Sequence, residues 1–257
     1  MENDIMKLFS LIFLLVMTLC ADNVKVYLYT PEINVNNFKS LKMSFDSYLS
    51  GYGNYELQPF SDKETFEKYL KNKNTIAILS SWHYREISKK YNLEAMLVAK
   101  KKGSVTDRKI LVGQKNTLLK GVVTSAYDTE YTNELLNSIT DEHSQELSVL
   151  RVPKEIDALM SVGFGMSRFA LISKDTFVHL QHINPVLSKD LKIYYESDPE
   201  YRMLLACNET DKEVTTLVSI FKNMEFSSDG KKILNMIGID KLVVFNIRNL
   251  ENRGDTK

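Results

Sequence analysis

The chain has 257 residues, and its 33 lysines and arginines equal its 33 aspartates and glutamates, so the formal net charge is zero. A neutral balance lacks the basic face a nucleic-acid binder presents, yet it leaves small anions open as ligands, because backbone N–H groups bind them without any net charge. The four histidines, His83, His143, His179 and His182, form no convincing ligand pattern, and the His179/His182 pair reads as a polar stretch of helix near Pro185, so no metal site is expected.

The first segment reads as an export signal. Lys7 precedes an apolar run from Leu8 to Met17, with the small residues Thr18 and Ala21 after it. The run is shorter than the roughly 18 apolar residues of a membrane span. Residues 1–21 are therefore expected to be removed, after Cys20 or Ala21, which places the chain in the periplasm. A retained anchor is the bland alternative. A lipidated Cys20 is disfavoured by the bulky Leu19 before it. Cleavage leaves Cys207 as the lone cysteine, with no internal disulfide to form.

Strand and helix signals then alternate. Val24 to Tyr29 is β-rich with a period of two. Thr30-Pro31-Glu32 breaks it, and Phe38, Leu41, Phe45, Tyr48 and Leu49 follow at helical spacing. Tyr55 to Phe60 is a second strand. Ser61 and Glu64 have the spacing of a capping box before a helix carrying Phe66, Tyr69 and Leu70. Thr75 to Leu79 is a continuous apolar run, as in a strand covered on both faces. A helix over 84–91 and a strand over 95–99 lead to the basic turn Lys100-Lys101-Lys102-Gly103. Strands are expected over 108–113, 121–123, 147–152, 169–172 and 191–195, with helices over 129–138 and 174–182 and a further helix opened by Pro153. The last third returns with a strand over 202–207, an amphipathic helix marked by Val214, Leu217, Val218, Phe221 and Met224, a short helix from Ser228 to Gly238, and a final strand over 242–245.

Ligands of open α/β sheets bind beyond the carboxyl ends of strands, where loops meet helix N-termini. Three such places stand out: Tyr29-Thr30, Ser80-Ser81-Trp82-His83, and Thr124-Ser125-Ala126-Tyr127. Clustered hydroxyls at a helix start suit a phosphate-like anion or a polar solute, and Trp82 and Tyr127 offer apolar walls. Taken singly, each cluster reads as an ordinary N-cap. Their recurrence in corresponding loops of two α/β series points instead to a shared ligand. No nucleophile elbow, P-loop or dinucleotide fingerprint occurs, so no catalytic residue and no cofactor are expected.

The leader, the two α/β series, the return to the first, and the closing stretch from Ser228 to Ile239 resemble type II periplasmic solute-binding proteins, within them the phosphate/phosphonate-type components of ABC transporters. Ile78 to Tyr84 and Ala158 to Gly165 carry the same resemblance. It implies a two-lobed α/β fold with mostly parallel sheets flanked by helices and two crossovers between lobes, near 99–103 and 197–202. Lobe 1 would comprise 22–101 and 200–257, and lobe 2 102–199. The family's anion loop falls on Thr124, Ser125, Ala126 and Tyr127, with alanine and tyrosine in place of its glycine-containing end. Ser80, Ser81 and His83 would come from lobe 1, and Gly165 would join the ligand-binding set. The implied partners are a small oxyanion or similar polar solute and an ABC permease. A sensory module reporting to a membrane receptor, or an enzyme on the same fold, are the alternatives.

Overall fold

The computed structural model describes residues 24–33, 37–72, 75–140, 146–209 and 211–245. The expected leader, Cys20 and His143 lie outside them. The first sheet has the order β11 (Lys241–Val244), β4 (Glu94–Lys100), β10 (Leu204–Cys207), β3 (Ile76–Leu79), β1 (Val24–Tyr29), β2 (Tyr55–Pro59). The second runs β7 (Leu147–Arg151), β6 (Gly121–Ser125), β8 (Phe169–Ser173), β5 (Thr106–Gln114), β9 (Leu191–Tyr201). Each sheet with its helices forms a lobe. The chain leaves the first after Lys100 and returns from the second between Tyr201 and Leu204.

Both sheets are mixed where mostly parallel ones were expected. β1 is parallel to β2 and β3, and β6 is parallel to β7 and β8, as strand–helix–strand units require. β10 runs antiparallel between β3 and β4, and β5 runs antiparallel to β8 and β9. These antiparallel strands flank the two crossings, where the chain arrives without a crossover helix.

Period-two alternation divides each sheet between two cores. Val24, Val26 and Leu28 of β1 face Leu41, Phe45 and Leu49 of α1 (Phe38–Leu49), together with α8 (Lys212–Asn223) and α9 (Ser228–Met236). Tyr27 and Tyr29 face the opposite way, against Phe60, Phe66 of α2 (Lys63–Tyr69), and Tyr84 and Ile87 of α3 (Ser81–Tyr91). In the second lobe Ile110, Val112, Ala170 and Ile172 pack on α5 (Glu155–Gly163) and α6 (Lys174–Ile183). Leu111, Val123, Phe169 and Leu171 pack on α4 (Thr129–Thr140), and Trp82 of the first lobe is buried in that same cluster. A short helix, α7 (Pro185–Ser188), follows α6.

Several boundaries differ from the sequence expectation. Asp62, rather than Ser61, caps α2, accepting from the Thr65 N–H at 2.8 Å; its short carboxylate serves both the free N–H and the positive end of the helix. Lys154 is the N-cap of α5, so Pro153 lies outside the helix and Glu155 begins it. β9 continues to Tyr201, well past Tyr195, because it stays paired with β5 down to Thr106. No helix among the described residues is long and apolar enough to cross a membrane.

Gly230 shows how tightly α9 is seated. A Cβ there would meet the Met224 carbonyl oxygen at 2.2 Å, a backbone atom of the turn Met224–Phe226. Gly230→Ala is expected to lower the melting temperature, with overpacking of about 1–3 kcal/mol outweighing the roughly 1 kcal/mol that alanine gains in a helix. Thermal melts followed by circular dichroism check the sign.

Candidate functional site

Loops at the strand tips of both lobes meet at one buried charge. Lys109 lies in β5 on the same side as Leu111, its side chain only 7% exposed. Its ammonium donates to Glu32 Oε1 of the first lobe at 3.0 Å and sits 4.5 Å from the ring centre of Tyr127, a cation–π contact. The other carboxylate oxygen of Glu32, Oε2, accepts from the hydroxyls of Thr30 and Ser80, which lie 3.0 Å apart. Pro31 joins Thr30 to Glu32, so the tether between hydroxyl and carboxylate is short and stiff. Burial would lower the pKa of Lys109, but Glu32 foremost, then Glu155, Tyr131 and Glu200, hold it above the ordinary lysine value. Burial likewise works to raise Glu32, and Lys109 with the Ser80 and Thr30 hydroxyls overcomes it, leaving the carboxyl below its usual value.

A second buried carboxylate closes the cluster from the far side. Glu155, the first residue of α5, accepts from the Tyr127 hydroxyl, the Ser173 N–H at 2.7 Å, and the hydroxyls of Ser173 and Thr176. Burial is the main cause pushing its carboxyl up to about 7, with Lys109 and its hydroxyl donors pulling down and the Glu32 charge adding to the rise.

On one flank, Trp82 stacks on Tyr131 with centroids 5.1 Å apart and planes at 12°, and meets Tyr127 edge-on at 6.2 Å. Lys63 bridges to Asp128 at 3.3 Å, and Arg85 pairs with Glu200 at 2.7 Å. On the other flank, beside the crossings, a cavity of about 220 Å³ opens between the lobes. Glu32 and Lys109 line it, with Ser173 at the end of β8, Asp175 and Thr176 in the first turn of α6, and Met236 to Ile239 at the end of α9. Among its other charges, Asp175 holds Arg202 at 2.7 Å and Lys101 at 3.0 Å, Asp107 lies 3.4 Å from Arg202, and Glu200 takes Arg85 from outside the cavity.

The residues singled out in the sequence divide into three groups. Thr30 and Ser80 meet on Glu32. Ser80 is the N-cap of α3, yet its side chain makes no capping bond. Trp82 and Tyr127 meet across the seam, flanked by Ala126, which is buried. The remaining residues are engaged by their own surroundings. Ser81 donates to the Tyr201 carbonyl. Tyr29 and His83 lie ring to ring at 5.6 Å in the first lobe; His83 contacts Glu67 through Nε2 at 3.2 Å, and burial above all lowers its pKa and keeps it neutral. Tyr29 also reaches across to Arg151 at 3.3 Å. Thr124 is held by the Ala158 and Phe169 carbonyls and Ser167, and Ser125 accepts from the Tyr127 N–H at 3.2 Å and the Thr132 hydroxyl at 3.1 Å. Gly165, at φ 73°, occupies the exposed turn after α5.

Glu32, Lys109, Glu155 and Tyr131 were not among the sequence candidates. Lys109 left a signal, since strand parity puts it on the buried side with Leu111. Among the described residues no group of histidine, cysteine or carboxylate side chains could hold a metal ion.

No protein-family model and no curated protein matches the sequence. Solved structures do match in shape. A binding protein component of an ABC phosphonate transporter from Pseudomonas aeruginosa aligns with a TM-score of 0.71 at 14% identity, over 90% of this chain and 85% of the other. The chain has the type II periplasmic-binding-protein fold. PhnD1 from Prochlorococcus marinus, in complex with methylphosphonate, shares that fold at TM-score 0.69 and 12% identity, over 90% and 96% of the two chains. A histidine kinase sensor domain similar to periplasmic binding proteins matches at 0.51 and 12%, over 86% and 98%. Glu32 and Tyr127 lie just past the carboxyl ends of β1 and β6, and the Lys109 ammonium contacts both.

The carboxyl of Glu155 makes a pH dependence measurable. The unfolded chain ionises it near the ordinary glutamate value of 4.5, while the folded protein keeps the proton up to about 7. The folded state thus binds more protons in that window, so stability falls as pH rises from about 4.5 to 7 and the contribution is flat above, a total of about 3 kcal/mol. Glu155→Gln is expected to flatten this slope in urea melts at successive pH values. An unchanged slope would show that the group is ionised in the fold.

Proposed function

We propose that the chain is an extracytoplasmic solute-binding protein, which holds a small oxyanion of the phosphate or phosphonate kind, or a similar polar solute, between its lobes. It hands that solute to an ABC permease and catalyses no reaction. The observation that carries this reading is the buried ammonium of Lys109 at the seam, with hydroxyls of the first lobe aimed at the same point. A buried cation with converging O–H donors is the chemistry that recognises an oxyanion. The N-terminus of α6 adds Ser173 and Thr176 to the cavity wall, and the positive end of a helix favours a negative group. The solute would take the place of Glu32 on Lys109, Thr30 and Ser80. Contacts from both lobes let a bound solute bridge them, and a permease would read that solute-bridged form.

A ligand that binds only the native state raises its melting temperature. Phosphate, phosphite, methylphosphonate and sulfate are therefore screened against the full chain by thermal shift, with native mass spectrometry for solutes carried through purification. At least one of these anions is expected to raise the melting temperature, and Lys109→Met is expected to abolish the response. If none of the four does so, and no polar solute accompanies the protein, the reading fails while the fold stands.

A further inference from the structure

We propose that Glu32 is a tethered stand-in for the ligand's anionic group, holding the lobes together when no solute is present. This rests on the reading above and adds how the same site is regulated. Three features carry it. The donors available to an anion at the seam, the Lys109 ammonium and the Thr30 and Ser80 hydroxyls, are all directed at the Glu32 carboxylate. The bond from Lys109 to Glu32 crosses from lobe 2 to lobe 1, so it forms only when the lobes meet. And Glu32 lines the cavity with 21% of its side chain exposed, so a solute can reach the pair without the protein unfolding.

The physical consequence is competition. A carboxylate and a phosphate-like oxyanion want the same donors, and only one can have the Lys109 contact at a time. A solute's apparent affinity is reduced by the fraction of molecules in which the site is free. Removing the carboxylate should therefore loosen the empty protein and strengthen its response to free anions. A residue that merely contacts ligand behaves otherwise: its loss weakens binding and leaves the empty protein as it was.

Trp82 reports the seam directly. It is the sole tryptophan of the chain, 3% exposed, and stacked on Tyr131 of the other lobe. The experiment measures acrylamide quenching of its fluorescence in the full chain, in Glu32→Ala and in Glu32→Gln; the second keeps the volume and the ability to accept from Ser80 and Thr30. Far-UV circular dichroism confirms that each variant is folded. Both variants are expected to be quenched several-fold more strongly than the parent. Acetate, a free carboxylate that fits the vacated space, is expected to restore the parent value in Glu32→Ala and to leave the parent itself unchanged. Phosphate or methylphosphonate should act on Glu32→Gln at concentrations on the order of tenfold below those needed for the parent.

Quenching in both folded variants equal to the parent's would overturn the proposal. So would a rise that acetate, phosphate and methylphosphonate all fail to reverse. Should acetate close Glu32→Ala while no solute affects the parent by any measure, the tethered anion stands and the transport reading falls, so the two can be told apart.

Discussion

The arrangement of this protein depends on the ammonium of Lys109, which is almost fully buried and faces a carboxyl group from each lobe. Stripping a cation of its hydration costs several kcal/mol, and only close, well-directed partners compensate. Here one partner, Glu32, arrives from the first lobe at 3.0 Å, and the second, Glu155, belongs to the second lobe, reached through the Tyr127 ring and hydroxyl. The charge therefore ties together the β1 tip, the β6 tip, and the starts of α5 and α6. Separating the lobes would leave Lys109 with Glu155 and solvent, a different electrostatic state from the closed one.

The aromatic contacts act with that pair. Trp82 is carried by the first lobe but belongs energetically to the core of the second, beside Tyr127 and Tyr131. A knob of this kind contributes through apolar burial and is insensitive to salt, whereas the Lys63–Asp128 and Arg85–Glu200 bridges at the rim, partly exposed, contribute little. The most buried contacts across the seam are thus the Lys109–Glu32 pair and the Trp82–Tyr131 stack. Beside the crossings the seam instead leaves space, and there the paired charges of Asp175, Arg202 and Lys101 face the cavity.

The architecture was legible from periodicity. Val24 to Tyr29 and Phe169 to Ile172 alternate between two apolar cores, and the helices carrying Phe45, Phe66 and Phe221 have one apolar stripe each. Strand direction was less legible, because an apolar run such as Leu204 to Cys207 reads the same whether the chain passes up or down the sheet. In the candidate site, strand-tip logic singled out Thr30 and Ser80 but not the carboxylate that both hydroxyls reach, since Glu32 looked like part of a turn. Thr124 and Ser125 illustrate the converse difficulty. A hydroxyl in a strand-to-helix loop has the same sequence signature whether it faces a cleft or, as here, the carbonyls and hydroxyls of its own lobe. Rotamer decides between the two, and rotamer is not written in local sequence.

Pro31 gives the Glu32 carboxylate a further property. A group held on a short, stiff connection behaves as though present at a high effective concentration near its target, of millimolar order for short linkers in general. A free solute that offers Lys109 nothing beyond a negative charge must outcompete that local concentration. One that also fills the space toward Met236 and Ile239, or donates to Asp107 and Asp175, gains contacts Glu32 cannot make. In the proposed reading the tether therefore acts as a threshold: an oxyanion displaces Glu32 only by offering Lys109, Thr30 and Ser80 more than the carboxylate does, and the rest of the solute molecule adds to its selectivity.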